Sequence, residues 1–227
     1  MLGVVLEQLK DWNLQKQKKQ SREFYVYCRL AESIGDNSRT NFFFVSSMLH
    51  STFTNNNRTY ILRSIAVQDA EPLATYFTEL SADSKRRFQP HPLTTEQAAQ
   101  IAHTPHETTI HTVLLDEKRI IGYFILETTM SEHEQGRFAQ QGIELLSGVD
   151  VLFAPSVLDE FQNQGLASQV MPIFIDFLKT KNARSLVLMG GTQETNARAI
   201  AFYEKFGFVK CGGYYTEMFN HDMRLVF

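Results

Sequence analysis

The chain has 227 residues, 43% of them hydrophobic and 18 of them Phe, enough for one large core. Its 22 Lys and Arg against 25 Asp and Glu leave a net charge of −3, which excludes the basic footprint of a nucleic-acid-binding protein. No apolar run reaches the roughly 20 residues that span a bilayer, and Met1–Leu6 meets Glu7, Lys10 and Asp11 too soon for a signal-peptide core, so a cytoplasmic protein without a membrane partner is expected.

Residues 1 to 58 differ from the rest. Leu2, Val5, Leu6, Leu9 and Trp12 share one helical face, a solvated run follows from Gln15 to Gln20, Phe24–Tyr27 suits a strand, and Phe42–Val45 is apolar but isolated. Asn55-Asn56-Asn57 reads as a linker. An extension over 1–58 and a domain over 59–227 are therefore expected. The extension fits a docked segment, a partner-binding arm, or a start codon placed upstream of Met48. Cys28 and Cys211 have no metal spacing and read as reduced thiols. The seven His form no H-x-x-x-H or H-E-x-x-H, so no metal site is expected.

From Tyr60 the periodicity is clear. Tyr60–Ile65 predicts a strand, and Asp69 caps a helix over Ala70–Leu80 with Leu73, Phe77 and Leu80 on one face. Ser81 opens a short helical piece to Phe88, Pro90-His91-Pro92 breaks it, and Thr94 or Thr95 opens another helix to Ala102. Thr109–Leu115 and Arg119–Glu127 form a hairpin about Asp116-Glu117-Lys118. The polar Ser131–Gln141 reads as a loop. A central strand lies within Glu144–Val157, and Pro155 there should make it bulge or part from a neighbour. Leu166 to about Thr180 is a helix with Leu166, Val170, Ile173, Phe174, Phe177 and Leu178 on one face and a kink at Pro172. Ser185–Met189 is a strand, Asn196 and Gly207 bound a helix, and Phe208–Cys211 and Met223–Phe227 are the last strands, with Asn220-His221-Asp222 between them. The fold class expected is α+β: a mixed, mostly antiparallel sheet flanked by helices.

One junction organises this pattern. Gln162-Asn163-Gln164-Gly165-Leu166-Ala167 joins the central strand to the long helix. The first N–H groups of a helix lack internal acceptors and sit at the positive end of its dipole, so such a turn binds phosphate with backbone alone. Gly165 allows close approach, and Ala167 keeps the next turn thin. The turn holds no Lys or Arg, so its hold on an anion should rest on N–H dipoles.

The motif Q-x-x-G-x-A, followed by Asn196, Ala199, Tyr203, Gly207 and Phe208 as N-x-x-A-x-x-x-Y-x-x-x-G-F, resembles the signature of the GNAT superfamily of N-acetyltransferases over about Thr59 to Phe227. The resemblance implies the GNAT fold with two splayed central strands, acetyl-CoA as cosubstrate, and an amine acceptor, either a small molecule or a protein amine. It also implies that the early helices form part of the acceptor wall. Backbone of Gln162, Asn163, Gln164, Gly165, Leu166 and Ala167 would hold the pyrophosphate. Backbone of Ser156 and Val157 would pair with the pantetheine arm and polarise the thioester, and Asn196 would touch the arm. Tyr203 would protonate the leaving thiolate, its phenol being close in basicity to a thiol. Arg198 and Lys205 read as solvated or as phosphate contacts. The base is open between Glu127, Asp150 and a water chain. Cys211 lies too late to suggest a covalent relay, so direct attack in a ternary complex is expected. Glu132, Glu134 and Glu144 favour a cationic acceptor. The other reading is a non-catalytic acyl-CoA sensor. A monomer and a homodimer are equally compatible.

Overall fold

The computed structural model describes residues 48–104, 106–190 and 192–227. The helix expected from Leu2 to Trp12, the strand at Phe24–Tyr27 and the apolar Phe42–Val45 lie outside the described residues. Among the described residues, no helix is long and apolar enough to cross a membrane.

The first strands are β1 (His50–Asn55) and β2 (Arg58–Ser64), paired antiparallel from His50↔Arg63 to Asn55↔Arg58. The expected linker is instead their turn. Asn56 and Asn57 have φ of 50° and 61°, which Asn tolerates and which matches the twist of a two-residue hairpin. The sheet thus begins before residue 59. The first helical region holds α1 (Ala70–Glu79), α2 (Ala82–Arg87) and α3 (Thr95–His103). Asp69 stands at the N-cap of α1, but its carboxylate accepts from Arg63 at 2.6 and 2.7 Å and from the Ala66 N–H rather than capping the helix. Ser81 and Thr94 do cap α2 and α3.

β3 (Thr109–Asp116) and β4 (Arg119–Glu127) form the expected hairpin. The segment read as a loop contains α4 (Glu132–Ala139), closed at its start by a Ser131–Glu134 capping box. Polarity hid it: the helix buries only Phe138, while Arg137 reaches Asp222 at 2.7 Å. Then come β5 (Asp150–Val157), α5 (Leu166–Thr180), β6 (Ser185–Leu188), α6 (Ala197–Lys205), β7 (Val209–Tyr215) and β8 (Phe219–Val226). Asn220, His221 and Asp222, expected in a connection, lie inside β8, and the turn falls at Thr216–Met218. The eight strands run β1-β2-β3-β4-β5-β6-β8-β7, antiparallel except at β5–β6.

Helices cover both faces. Tyr76 and Phe77 of α1 set their rings against Tyr123, while Phe174 of α5 packs on Phe124 and Phe153. Tyr123 and Phe124 are consecutive, so they point to opposite faces, and α1 and α5 lie on opposite sides.

Candidate active site

β5 and β6 are in register only from Asp150↔Ser185 to Leu152↔Val187, whereas β5 stays paired with β4 to Val157. The strands therefore splay beyond Leu152. Leu158 donates to the Ile121 carbonyl on the β4 side, and Arg184 donates to the Val149 carbonyl on the β6 side. Alternation along the strand turns the backbone of Phe153, Pro155 and Val157 into the gap and that of Ser156 toward Tyr123. Of the expected pair, Val157 thus offers backbone to the gap. Ser156 offers its side chain, hydrogen-bonded to Tyr76 Oη at 2.7 Å. Pro155 sits where its missing N–H leaves no orphan donor. The Val157 carbonyl accepts from Gln162 Nε2 at 3.0 Å, which ties the strand end to the turn.

At the turn, Gly165 has φ of 82° and precedes α5. A Cβ there would meet only Asn55 Oδ1, at 3.9 Å, so backbone conformation rather than space calls for glycine. The first helical bond runs from Ser168 to the Gly165 carbonyl, so the N–H groups of Leu166 and Ala167 point out of the helix start. The turn does receive a cation. Arg198 of α6 donates to Gln162 Oε1 at 2.6 Å and to Asn163 Oδ1 at 3.0 Å. A turn without basic residues of its own thus carries a guanidinium from 35 residues away. Gln164 is turned aside: its Nε2 donates to the Glu160 carbonyl, and its own carbonyl accepts from Asn55.

Gap, turn and α6 open on one cavity of about 1570 Å³. Ser156, Val157, Gln162, Asn163, Gly165, Leu166, Ala167, Asn196 and Tyr203 line it, and Gln164 does not. Asn196 also caps α6, accepting from the Ala199 N–H at 3.2 Å. Tyr203 packs between Phe202 and Phe208, and its hydroxyl makes no hydrogen bond among the described residues. Burial pushes that phenol well above its ordinary range, so it stays protonated.

The two candidate bases separate. Glu127 lines the cavity, and its carboxylate accepts from the Thr129 N–H and hydroxyl and from Thr109 Oγ1. Asp150 is absent from the cavity wall. Its fully buried carboxylate holds Arg184, Ser185, Arg224 and the Leu146 N–H. Burial pushes Asp150 up, but these donors outweigh it and hold the carboxyl below the usual range. Glu134 reaches the cavity, whereas Glu132 and Glu144 do not. Lys205 lies outside it, over Phe206.

Two features escaped the sequence. Gln193 lines the cavity, and its buried Oε1 has no partner among the described residues. His91 and His111 share the Tyr123 hydroxyl, His106 packs against His111, and all three line the cavity. Their spacing matches no motif, because a breaker, a loop and a strand bring them together. Among the described residues, no group of three or more His, Cys, Asp or Glu could hold a metal ion.

The sequence profile of the Acetyltransferase (GNAT) family matches residues 74–208. The fold is similar to the GNAT domain of S. lividans PAT (TM-score 0.62, 15% identity, 78% of this chain and 97% of that one). It is also similar to the ribosomal-protein-S5-alanine acetyltransferase from Vibrio fischeri (0.60, 18%, 78% and 96%). A third is the aminoglycoside acetyltransferase AAC(6')-Ib in complex with coenzyme A (0.57, 15%, 74% and 94%). No curated protein sequence matches the chain.

Proposed function

The chain belongs to the GNAT family of acetyltransferases, and from that premise we propose that it transfers the acetyl group of acetyl-CoA to a primary amine by direct attack in a ternary complex. One observation carries the reading: the strand gap, the Gly165 turn and Tyr203 line the same cavity. The donor set fits an extended, amide-bearing arm ending in phosphates. The gap presents unpaired strand backbone, Gln193 presents an unpaired acceptor, and the turn presents outward N–H groups with Arg198 beside them. When bound, acetyl-CoA supplies an acyl thioester, whose carbon the amine attacks.

The Val157 N–H, turned into the gap, is the donor we assign to the carbonyl oxygen as charge builds there. Tyr203 gives its proton to the departing sulfur. Glu127 draws the ammonium form of the acceptor to the cavity, where it gives one proton to solvent before the neutral amine attacks, and Asp150 serves only the fold.

Tyr203→Phe tests this directly. The hydroxyl has no partner to lose, so the melting temperature should hold. The turnover number should fall by roughly 10²–10⁴-fold, the scale of a positioned acid, with KM for acetyl-CoA little changed. The readout is coenzyme release across a panel of amines. Wild-type turnover in a folded Phe variant would remove Tyr203 from the chemistry. Binding of acetyl-CoA without turnover on any amine would favour a sensor.

A further inference from the structure

We propose that His111, Tyr123 and His91 form a proton relay in which His111 takes the proton of the attacking amine and His91 stores it. This rests on the acetyltransferase reading above and assigns its base.

The wiring follows from which atoms can donate. Tyr123 is 0% exposed, and its Oη lies 2.6 Å from His111 Nδ1 and 3.1 Å from His91 Nε2. A phenol has one proton, so it donates to one imidazole and accepts from the other. His91 Nδ1 lies 2.8 Å from the Pro92 carbonyl, which can only accept, so this nitrogen carries the hydrogen. Neutral His91 therefore has a bare Nε2, and that nitrogen takes the Tyr123 proton. His111 must then donate through Nδ1, which leaves its Nε2 bare. That Nε2 has no partner among the described residues, and His111 stands in the cavity wall. His106 cannot supply a proton through Nε2, which donates to the Ile101 carbonyl at 3.0 Å, and its ring packs edge-on against His111.

His111, Ile125 and Ala154 are cross-strand neighbours on β3, β4 and β5, and all three line the cavity that the strand gap opens on. Tyr123 pairs with Ser156, beside the gap. The titratable groups facing His111 are Tyr123 from β4 and His106 and His91 from the flanking loops, with Tyr76 of α1 behind Tyr123.

The step balances. As nitrogen bonds to the acetyl carbon, it becomes the ammonium of a tetrahedral adduct, more acidic than a free alkylammonium, and its acidity rises further as the carbon–sulfur bond breaks. Its N–H breaks, and the proton joins His111 Nε2. The Nδ1 hydrogen passes to Tyr123 Oη, and the Tyr123 hydrogen passes to His91 Nε2. His111 and Tyr123 end neutral, and His91 ends as an imidazolium with both N–H groups bonded, one to Pro92 and one to Tyr123. The carbon–sulfur pair leaves on sulfur and takes the Tyr203 proton. Run backwards after product leaves, the relay returns its proton to the cavity, where Tyr203 regains it. Burial, with His106 and His91 nearby, pushes His111 down to about 3, so His111 passes a proton on rather than keeping it. At His91 burial also lowers the pKa, but the Pro92 carbonyl favours the cation.

Two measurements test the relay. Nitrogen-15 NMR of the full chain near neutral pH should show Nδ1–H on His91 and His111 and Nε2–H on His106; a hydrogen on His111 Nε2 would overturn the wiring. Kinetics with acetyl-CoA and the best of n-butylamine, spermidine and an alanyl peptide should show roughly a tenfold or greater fall in kcat for Tyr123→Phe and for His91→Gln. KM for acetyl-CoA should stay near the parent value. The dependence of rate on D2O fraction should change from curved to linear as the relay is cut, which a packing defect would not cause. If Tyr123→Phe fails to fold, His91→Gln, on a half-buried loop, decides. Parental kcat and a curved D2O dependence in folded His91→Gln would overturn the relay, as would a loss confined to Glu127→Gln. No turnover by the parent on any amine would overturn the acetyltransferase reading, while the tautomers would still answer for the wiring.

Discussion

Tyr203 and Arg198 stand on the same helix and differ in how they could be read. Tyr203 follows Asn196 by seven residues in a recurrent pattern, and its place in the cavity wall agrees with that spacing. Arg198 carries no such mark, because an exposed arginine on a helix is ordinarily solvated. Only the crossing of α6 over the β5–α5 turn gives it Gln162 and Asn163 as partners. The prediction at this scale is Arg198→Ala. It should raise KM for acetyl-CoA by about tenfold, the worth of one exposed charge-assisted contact of about 1.4 kcal/mol. kcat should stay within about twofold, since the guanidinium lies at the β5–α5 turn, away from Tyr203 and Val157 where the chemistry is proposed. Steady-state kinetics at low and high salt should show the difference shrinking as screening grows.

Among the elements, β1 shows how a tight turn passes for a linker. Three consecutive Asn look like disordered composition, yet two of them in left-handed conformation close a hairpin. β1 then reaches the site, since Asn55 Nδ2 donates to the Gln164 carbonyl at 2.9 Å, and Phe53 stacks on Tyr60. A chain begun at Thr59 would expose the edge of β2 and free the turn. Its melting temperature should drop by several degrees, and its acetyl-CoA affinity should weaken more than its kcat. A truncated chain that melts and binds as the full chain does would show that β1 is dispensable to both. α4 was hidden for the reverse reason. Only one face residue is apolar, so periodicity was silent, while the capping box at Ser131 and Glu134 was the signal to use.

For the whole molecule, Asp150 is the joint where β5, β6 and β8 meet through Arg184, Ser185 and Arg224. Its folded pKa lies below the unfolded value, so its stabilisation is present above about pH 4 and is lost as pH falls through the folded value. Asp150→Asn should therefore lower the melting temperature at pH 7 and flatten its decline below about pH 4. Removing one partner of such a buried pair costs on the order of 3–5 kcal/mol. Melting curves across that range check the point. Parallel curves for the two proteins would show that Asp150 does not govern acid stability.

Most of the element order was legible in the chain. Apolar period separates strand from helix, and Ser81, Thr94 and Asn196 mark helix starts through local hydrogen bonds. The turn at Gly165 was readable for the same reason, one residue's backbone preference acting within a few residues of itself, whereas β5 and β6 part beyond Leu152, ahead of Pro155, which stays paired with Phe124. What lay beyond that range belonged to the tertiary structure. The carboxylate of Asp150 became a buried joint and that of Glu127 a cavity wall, although both sit beside strands in the sequence. His91 and His111, 20 residues apart, share one phenol that neither could find without the β3–β4 pairing. Side-chain partners of this kind depend on strand register and helix crossing, which many weak contacts decide together, and no local pattern of residue types records them.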